Sequence, residues 1–190
     1  VGHPTYAKEV APLDLEGRVA AMKRPDIRAA ILGENSAIRS AIMGSDMTEF
    51  LFRIFPLGDN PNYEPDREAS VSGMAAAAGI TPLEMMYDLL IREDGKELFY
   101  QPLGGYNTYN FDFFRKNMQH PNVLFGLSDG GAHCGVIADA GMPTFILTYW
   151  ARDRVKGERF PLEFLVRKLT SDTARAYGLN DRGELKPGML

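Results

Sequence analysis

The chain has 190 residues, of which 45% are hydrophobic and 24% are charged, a balance typical of a globular protein with a substantial core. Its formal net charge of −4 argues against nucleic-acid binding, its single cysteine excludes an internal disulfide, and no apolar run approaches the ~20 residues that span a bilayer. The first residues, VGHPTYAKEV, lack the pattern of a signal peptide, so we expect a cytoplasmic protein with neither a nucleic-acid nor a membrane partner.

Predicted helices dominate the first half of the chain. Apolar spacing and capping residues predict helices over residues 15–22, 25–32, 36–43, 69–78 and 81–92. Pro25 suits a first helical turn, Gly79 suits a helix C-terminus, and Thr81 with Glu84 forms the pattern of a capping box. Two short apolar stretches, 50–57 and 97–103, predict strands.

The second half adds four predicted helices, over residues 112–118, 143–154, 161–168 and 171–177. Residues 122–127, NVLFGL, predict a third strand, and the tail NDRGELKPGML predicts a turn that leads toward a strand. Three strands are few for this length, but a strand followed by a loop and a helix is more typical of a βα architecture than of a bundle. We therefore predict an α/β, helix-rich fold.

The stretch LFGLSDGGAHCG, residues 124–135, combines an aspartate, a histidine and the only cysteine of the chain. Residues 126–130 match the G-x-S-x-G nucleophile elbow around Ser128, although helix character does not begin directly behind that serine. The only later histidine, His133, lies in the same short loop, where it would struggle to reach the serine as a base.

Two other interpretations of this loop remain open. Asp129 follows a predicted strand, and an aspartate at the carboxyl end of a barrel strand can move protons beside a metal-bound water. Against this, catalytic zinc usually takes three protein ligands, and the chain contains no H-x-H pair. Alternatively, the glycines form a turn, Asp129 caps a helix, and Cys134 is a small buried apolar group.

Three longer stretches resemble the C-terminal portion of the N-acyl-D-amino-acid deacylases, or D-aminoacylases, of the amidohydrolase superfamily. They are NYEPDREASVSGMAAAAGITPLEMMYDLL, VLFGLSDGGAHCGVIADAGMPTFILTYWARDR and PLEFLVRKLTSDTARAYGLNDRGELKPGML. Within the last, T-x-x-x-A-R-x-x-G-L followed by D-R-G-x-L-x-P-G resembles the exit from the last barrel helix toward a small β-sandwich.

The resemblance implies a (β/α)8 barrel hydrolase of carbon–nitrogen bonds with one or two divalent metals, usually zinc. In that family, metal-activated water cleaves an amide and releases a carboxylic acid and a free amino acid. The aspartate that ends strand eight is the proton shuttle at the metal, and it matches Asp129, which is thereby implied as catalytic residue and metal ligand. His133, in the same loop, is a candidate substrate-binding residue.

The family's H-x-H after strand one, its bridging cysteine and its middle-barrel histidines have no counterpart in this chain. We therefore expect one fragment, inactive alone and without tightly held zinc, whose partners are the remainder of the barrel and a small amide substrate. Exposed apolar surfaces would favour a homo-oligomer. The expected segments are a helix-rich insertion with late barrel elements (1–120), the last barrel strand and helices (121–178), and the return to the sandwich (179–190).

Two further sets of residues have both a functional and a structural interpretation. The first set is Tyr106 and Tyr109, which would either line the mouth of a substrate site or pack on a neighbouring element. The second set is Arg152 and Arg154, which would either bind a substrate carboxylate or form surface ion pairs. Tyr106 and Arg152 are retained as predicted substrate-binding residues. The alternative functions are a cyclic-amide hydrolase of the dihydroorotase or hydantoinase type, and a non-enzymatic helical module for protein interaction.

Overall fold

A computed structural model describes residues 2–34, 47–102, 104–126, 128 and 139–190. Over these ranges the chain is helix-rich, with eight α-helices and two strands of two residues each. It divides into two compact units, Val1–Asn110 and Phe111–Leu190. The helix-rich character is confirmed, whereas the barrel stays a prediction, as does the assignment of residues 1–120, 121–178 and 179–190 to parts of it.

The helices of the first unit follow the predicted ones closely. They are α1 Leu15–Met22, α2 Pro25–Gly33, α3 Val71–Ala78 and α4 Pro82–Leu90. Pro25 occupies the first turn of α2, and Gly79 ends α3 at a φ of +69°, a conformation that glycine adopts without steric cost. The predicted helix over 36–43 lies outside the described residues.

Shorter helical turns connect these elements of the first unit. They are a π-helical turn, Tyr6–Val10, and the 3-10 turns Met47–Arg53, Arg67–Ala69 and Arg92–Gly95. The capping box at α4 is formed, since the Thr81 backbone N–H donates to Glu84 Oε2 at 2.8 Å and the Glu84 N–H donates to Thr81 Oγ1 at 3.2 Å.

The core of the first unit consists of two apolar clusters. The first combines Val10, Ala21, Met22, Ile27, Ile31 and Tyr87, and the second combines Leu51, Ile54, Val71 and Leu89. Helix α4 contributes to both, through Tyr87 and Leu89. The Tyr87 hydroxyl also donates to the Met22 carbonyl at 2.9 Å, which satisfies its buried polar atom.

The strands predicted over 50–57 and 97–103 are wrong over most of their length. Only β1, Phe55–Pro56, and β2, Phe99–Tyr100, pair, as an antiparallel ladder with Phe55 opposite Tyr100. Residues up to Arg53 form a 3-10 turn instead, in which the Arg53 guanidinium lies over two phenylalanine rings. Pro56 has no N–H to donate, so it limits the ladder.

The second unit contains α5 Asp112–Met118, α6 Met142–Thr148, α7 Leu162–Leu169 and α8 Ser171–Ala176. A 3-10 turn, Asp139–Gly141, precedes α6, and a π-helical turn, Tyr149–Asp153, continues it. All four helices confirm predicted ones. Aromatic rings packed at 4.8–6.1 Å form the centre of this unit; they belong to Phe111, Phe114, Phe145, Tyr149, Trp150, Phe160 and Phe164.

The third predicted strand, over residues 122–127, is not formed in its described part, 122–126. The Val123 carbonyl accepts a hydrogen bond from the Lys168 ammonium at 2.9 Å, so a side chain takes the place of a neighbouring strand. The tail from residue 179 likewise consists of turns without a strand, folded back so that the Leu190 N–H donates to the Asp181 carbonyl at 2.7 Å. Within the described ranges, none of the helices has the length and apolar character needed to cross a membrane.

Candidate functional site

The predicted catalytic loop is only partly placed by the structure. Asp129, His133 and Cys134 lie outside the described residues, whereas Ser128 is described and half-buried. What the structure does show is the chain segment that leads into this loop, residues 119–126, and the helices that hold it. This segment and helices α7 and α8 form the candidate site.

Lys168 holds the approach to the loop. Its side chain is only 2% exposed, and its ammonium donates to the carbonyls of His120 and Val123, each at 2.9 Å. The Phe164 ring lies 5.9 Å from the same ammonium. Lys168 therefore ties residues 120–123, which precede the predicted catalytic aspartate by a few positions, to helix α7.

Lys168 was not among the predicted site residues, although its position in the sequence carries a signal. Lys168 follows Leu165 by three positions, and Leu165 is completely buried. Residues three apart lie on the same side of a helix, so a lysine at this spacing falls on the apolar face of α7. A lysine on a buried face is unusual and indicates a specific partner for its charge.

A cavity of about 510 Å³ lies between the segment 119–124 and helices α7 and α8, and we call it the α7–α8 groove. Its polar lining consists of Gln119, Asn122, Arg167, Lys168, Asp172 and Arg175. Apolar surface comes from Pro121, Leu124 and Ala176. This volume lies within the range of cavities that hold small organic ligands.

The charges that line the α7–α8 groove are unequal. Three cations and one carboxylate line the groove, and a second carboxylate, that of Glu184, lies 2.7 Å from Arg175 Nη2. Asp172 lies between two of the cations, 3.3 Å from Arg167 Nε and 3.2 Å from Arg175 Nη1. Lys168, by contrast, has no carboxylate partner among the residues that the structure describes.

Arg152, a predicted substrate-binding residue, lies on the surface of the second unit. Its side chain is 72% exposed, and its guanidinium donates to both carboxylate oxygens of Asp153, at 2.6 and 2.9 Å. This hydrogen bonding lowers the pKa of the Asp153 carboxyl below its ordinary value. Arg152 thus forms the surface ion pair with Asp153 that its structural interpretation predicts. Substrate binding by Arg152 stays a prediction.

Arg154 is completely buried, and its guanidinium contacts other groups of the second unit. It donates to Asp112 Oδ1 and to the Glu158 carbonyl, both at 2.9 Å, and its guanidinium lies 4.9 Å from the centre of the Trp150 ring. The ion pair is therefore with Asp112, and the backbone of Glu158, not its carboxylate, contacts Arg154. These contacts join α5 to the end of the π-helical turn.

Tyr106, the other predicted substrate-binding residue, belongs to the first unit. Its ring is 0% exposed, and its hydroxyl donates to the Pro65 carbonyl at 2.8 Å. Burial, reinforced by the nearby Glu64 carboxylate, raises the pKa of Tyr106 well above its ordinary value, and burial raises that of Tyr100 to about 12. Both phenols stay neutral over the physiological range, and Tyr106 offers no exposed atom to a substrate in this arrangement.

The side chains that the structure describes do not fit a metal site. No group of three or more histidine, cysteine, aspartate and glutamate side chains in the described ranges could hold a metal ion. Of the two described histidines, His120 is exposed, and its Nδ1 accepts a hydrogen bond from the Asn122 N–H at 3.2 Å. Asp129, the predicted zinc ligand, lies outside these ranges.

Comparison with known proteins adds no assignment. No family model, curated protein or solved structure matches the chain. A functional proposal therefore depends on the motifs of the sequence and on the chemistry of the residues themselves.

Proposed function

We propose that the chain is the C-terminal portion of a metal-dependent amidohydrolase that cleaves the amide bond of N-acyl amino acids, with N-acyl-D-amino acids as the favoured substrates. The observation that carries this proposal is SDGGAH directly after NVLFGL, combined with the T-x-x-x-A-R-x-x-G-L and D-R-G-x-L-x-P-G patterns. Helices α7 and α8, which confirm predicted helices, support the assignment of the last region. We expect the whole protein to lie in the cytoplasm.

Asp129 carries the proton chemistry in this proposal. Its carboxylate takes a proton from the attacking water and delivers it to the leaving nitrogen, acting first as general base and then as general acid. A bound divalent metal, zinc in the resemblance, would lower the pKa of that water. His133, in the same loop, and Arg152, whose side chain is exposed, are proposed to contact the substrate.

Lys168 is a positioning residue in the same proposal. Its two hydrogen bonds fix the backbone of residues 120–123, which lead into the loop that carries Asp129. General acid–base catalysis requires the proton-transferring group within hydrogen-bond distance of the reacting atoms, so a fixed approach to the loop favours a fixed carboxylate.

A substrate panel tests the proposed reaction on the longer protein that contains this chain. We expect that protein, supplied with zinc, to release free amino acid from N-acetyl-amino acids, faster from the D than from the L enantiomers, as measured by chromatography. The 190-residue chain alone should release none. If the protein instead opened the rings of dihydroorotate or hydantoin preferentially, its substrates would be cyclic amides and not N-acyl amino acids. Inactivity on every amide would overturn the hydrolase proposal.

A second candidate function, a helical interaction module, is favoured by one surface feature. Leu162 and Val166 lie one turn apart on α7, and 52% and 42% of their surfaces are exposed. Size-exclusion chromatography with light scattering separates the two candidates. Self-association of the chain that Leu162→Ser and Val166→Ser abolish, together with inactivity of the longer protein on amides, would favour the module.

A further inference from the structure

Lys168 presents an unbalanced charge inside the second unit. It is buried, it uses two of its three N–H donors on backbone carbonyls, and no carboxylate pairs with it in the part of the chain that the structure describes. A buried cation without a counter-charge is energetically costly. Its ammonium lies against the turn that forms one wall of the α7–α8 groove, so an anion in that groove would lie close to it.

Two arginines extend the positive charge of the same groove. The side chains of Arg167 and Arg175 are 54% and 56% exposed, so neither guanidinium is enclosed by the protein. Guanidinium groups bind the oxygens of phosphate and carboxylate in pairs of parallel hydrogen bonds. Asp172 pairs with both arginines, and Glu184 Oε1 also accepts from Arg175 Nη2 at 2.7 Å, so an entering anion would compete with both carboxylates.

We propose that the α7–α8 groove binds a small organic anion through a phosphate group, with Arg167 and Arg175 as its direct ligands and Lys168 as the buried counter-charge. A phosphate monoester carries about two negative charges at neutral pH, and three cations, Arg167, Lys168 and Arg175, line the groove that would hold it. The amides of Gln119 and Asn122 and the apolar surface of Leu124 line the remaining volume, where the organic part of the ligand would lie.

Titration calorimetry of the 190-residue chain with glycerol 3-phosphate tests this proposal. We expect saturable binding with one site per chain, weakened about tenfold by Arg167→Gln and by Arg175→Gln, since each removes charge-assisted hydrogen bonds. Asp172→Asn should tighten binding severalfold, because it removes the carboxylate that pairs with both arginines. Arg182→Gln is the matched control: Arg182 also pairs with an aspartate, Asp181, but does not line the groove, so affinity should be unchanged.

The outcomes separate the proposal from unspecific attraction. Inorganic phosphate and succinate should both bind more weakly than glycerol 3-phosphate. Succinate binding as tight as that of glycerol 3-phosphate would overturn the assignment of a phosphate group. Absence of saturable binding up to ~10 mM, or equal weakening by Arg182→Gln and the two groove arginine variants, would overturn the proposal. Circular dichroism of each variant confirms that it is folded, so a lost affinity is not a lost fold.

Discussion

At the residue scale, the second unit contains two buried cations with different partners: a carboxylate pairs with Arg154, and only carbonyl oxygens accept hydrogen bonds from Lys168 among the described residues. Arg154 has a carboxylate, a backbone carbonyl and an indole ring around it, whereas Lys168 has two carbonyls and a phenyl ring. Neither environment can be predicted from local sequence, because their main partners lie 42–48 positions away along the chain. Lysine and arginine side chains are rarely buried without a partner. Once the burial of Arg154 and Lys168 is known, specific partners for both are therefore expected.

Gly157 allows Arg154 to pack as it does. Its φ of +114° is strained for any residue with a Cβ, and a Cβ there would lie 2.9 Å from Arg154 Nη2. We expect Gly157→Ala to lower the free energy of unfolding by about 1–3 kcal/mol, measured by urea denaturation of the chain.

Gly33→Ala is the control for this substitution. Gly33 ends α2, has no atom within 4 Å of a built Cβ, and has no positive φ, so alanine should leave stability unchanged or raise it by up to ~1 kcal/mol. If Gly157→Ala and Gly33→Ala lowered the free energy of unfolding equally, the contact with Arg154 would not be the reason why position 157 requires glycine.

At the scale of elements, helices with local start and stop signals were predictable, and short strands were not. Thr81, Glu84, Gly79 and Pro25 each act within one helical turn, so the sequence alone predicts α2, α3 and α4 with their ends nearly in place. The apolar run 50–57 has no such signal, and a short run of this kind fits a buried helical turn as well as a strand. Its conformation depends on Arg53 stacking on its own phenylalanines and on β2, which is 43 positions further on.

The capping box of α4 makes a pH-dependent contribution to stability. Hydrogen bonds from the Thr81 N–H and hydroxyl lower the pKa of Glu84 below its ordinary value of 4.5. A carboxyl whose pKa is lower in the folded than in the unfolded state stabilises the fold above the unfolded value and loses that contribution as the pH falls through the folded value. Glu84→Gln should therefore destabilise the chain at pH 7, and the difference from wild type should shrink toward zero in acid.

Urea denaturation at several pH values between 7 and the acid range measures this difference. Glu68→Gln provides the control, because the Glu68 carboxylate is exposed and forms no hydrogen bond with any described residue. A wild-type advantage over Glu84→Gln that stays constant with pH would contradict ionisation as its source.

At the scale of the whole molecule, composition and motif spacing predicted the helix-rich character, whereas the division of the chain into Val1–Asn110 and Phe111–Leu190 was not predicted. Each unit contains contacts between residues distant in sequence. In the first unit β1 pairs with β2, and in the second Lys168 donates hydrogen bonds to the carbonyls of residues 120 and 123. The catalytic role of Asp129 and the substrate-binding role of His133 stay predictions from the sequence motif, and both residues lie outside the described residues.

The most direct test of the central claim is the turnover number of the proposed amidohydrolase on N-acyl amino acids, compared between wild type and Asp129→Asn. Because a positioned proton-transferring group contributes about 10²–10⁴-fold to rate, we expect turnover to fall by that factor while the circular dichroism spectrum is unchanged. Asp59→Asn, in an exposed loop of the first unit, should retain wild-type turnover. Near-normal turnover of Asp129→Asn would contradict the assignment of proton transfer to this carboxylate.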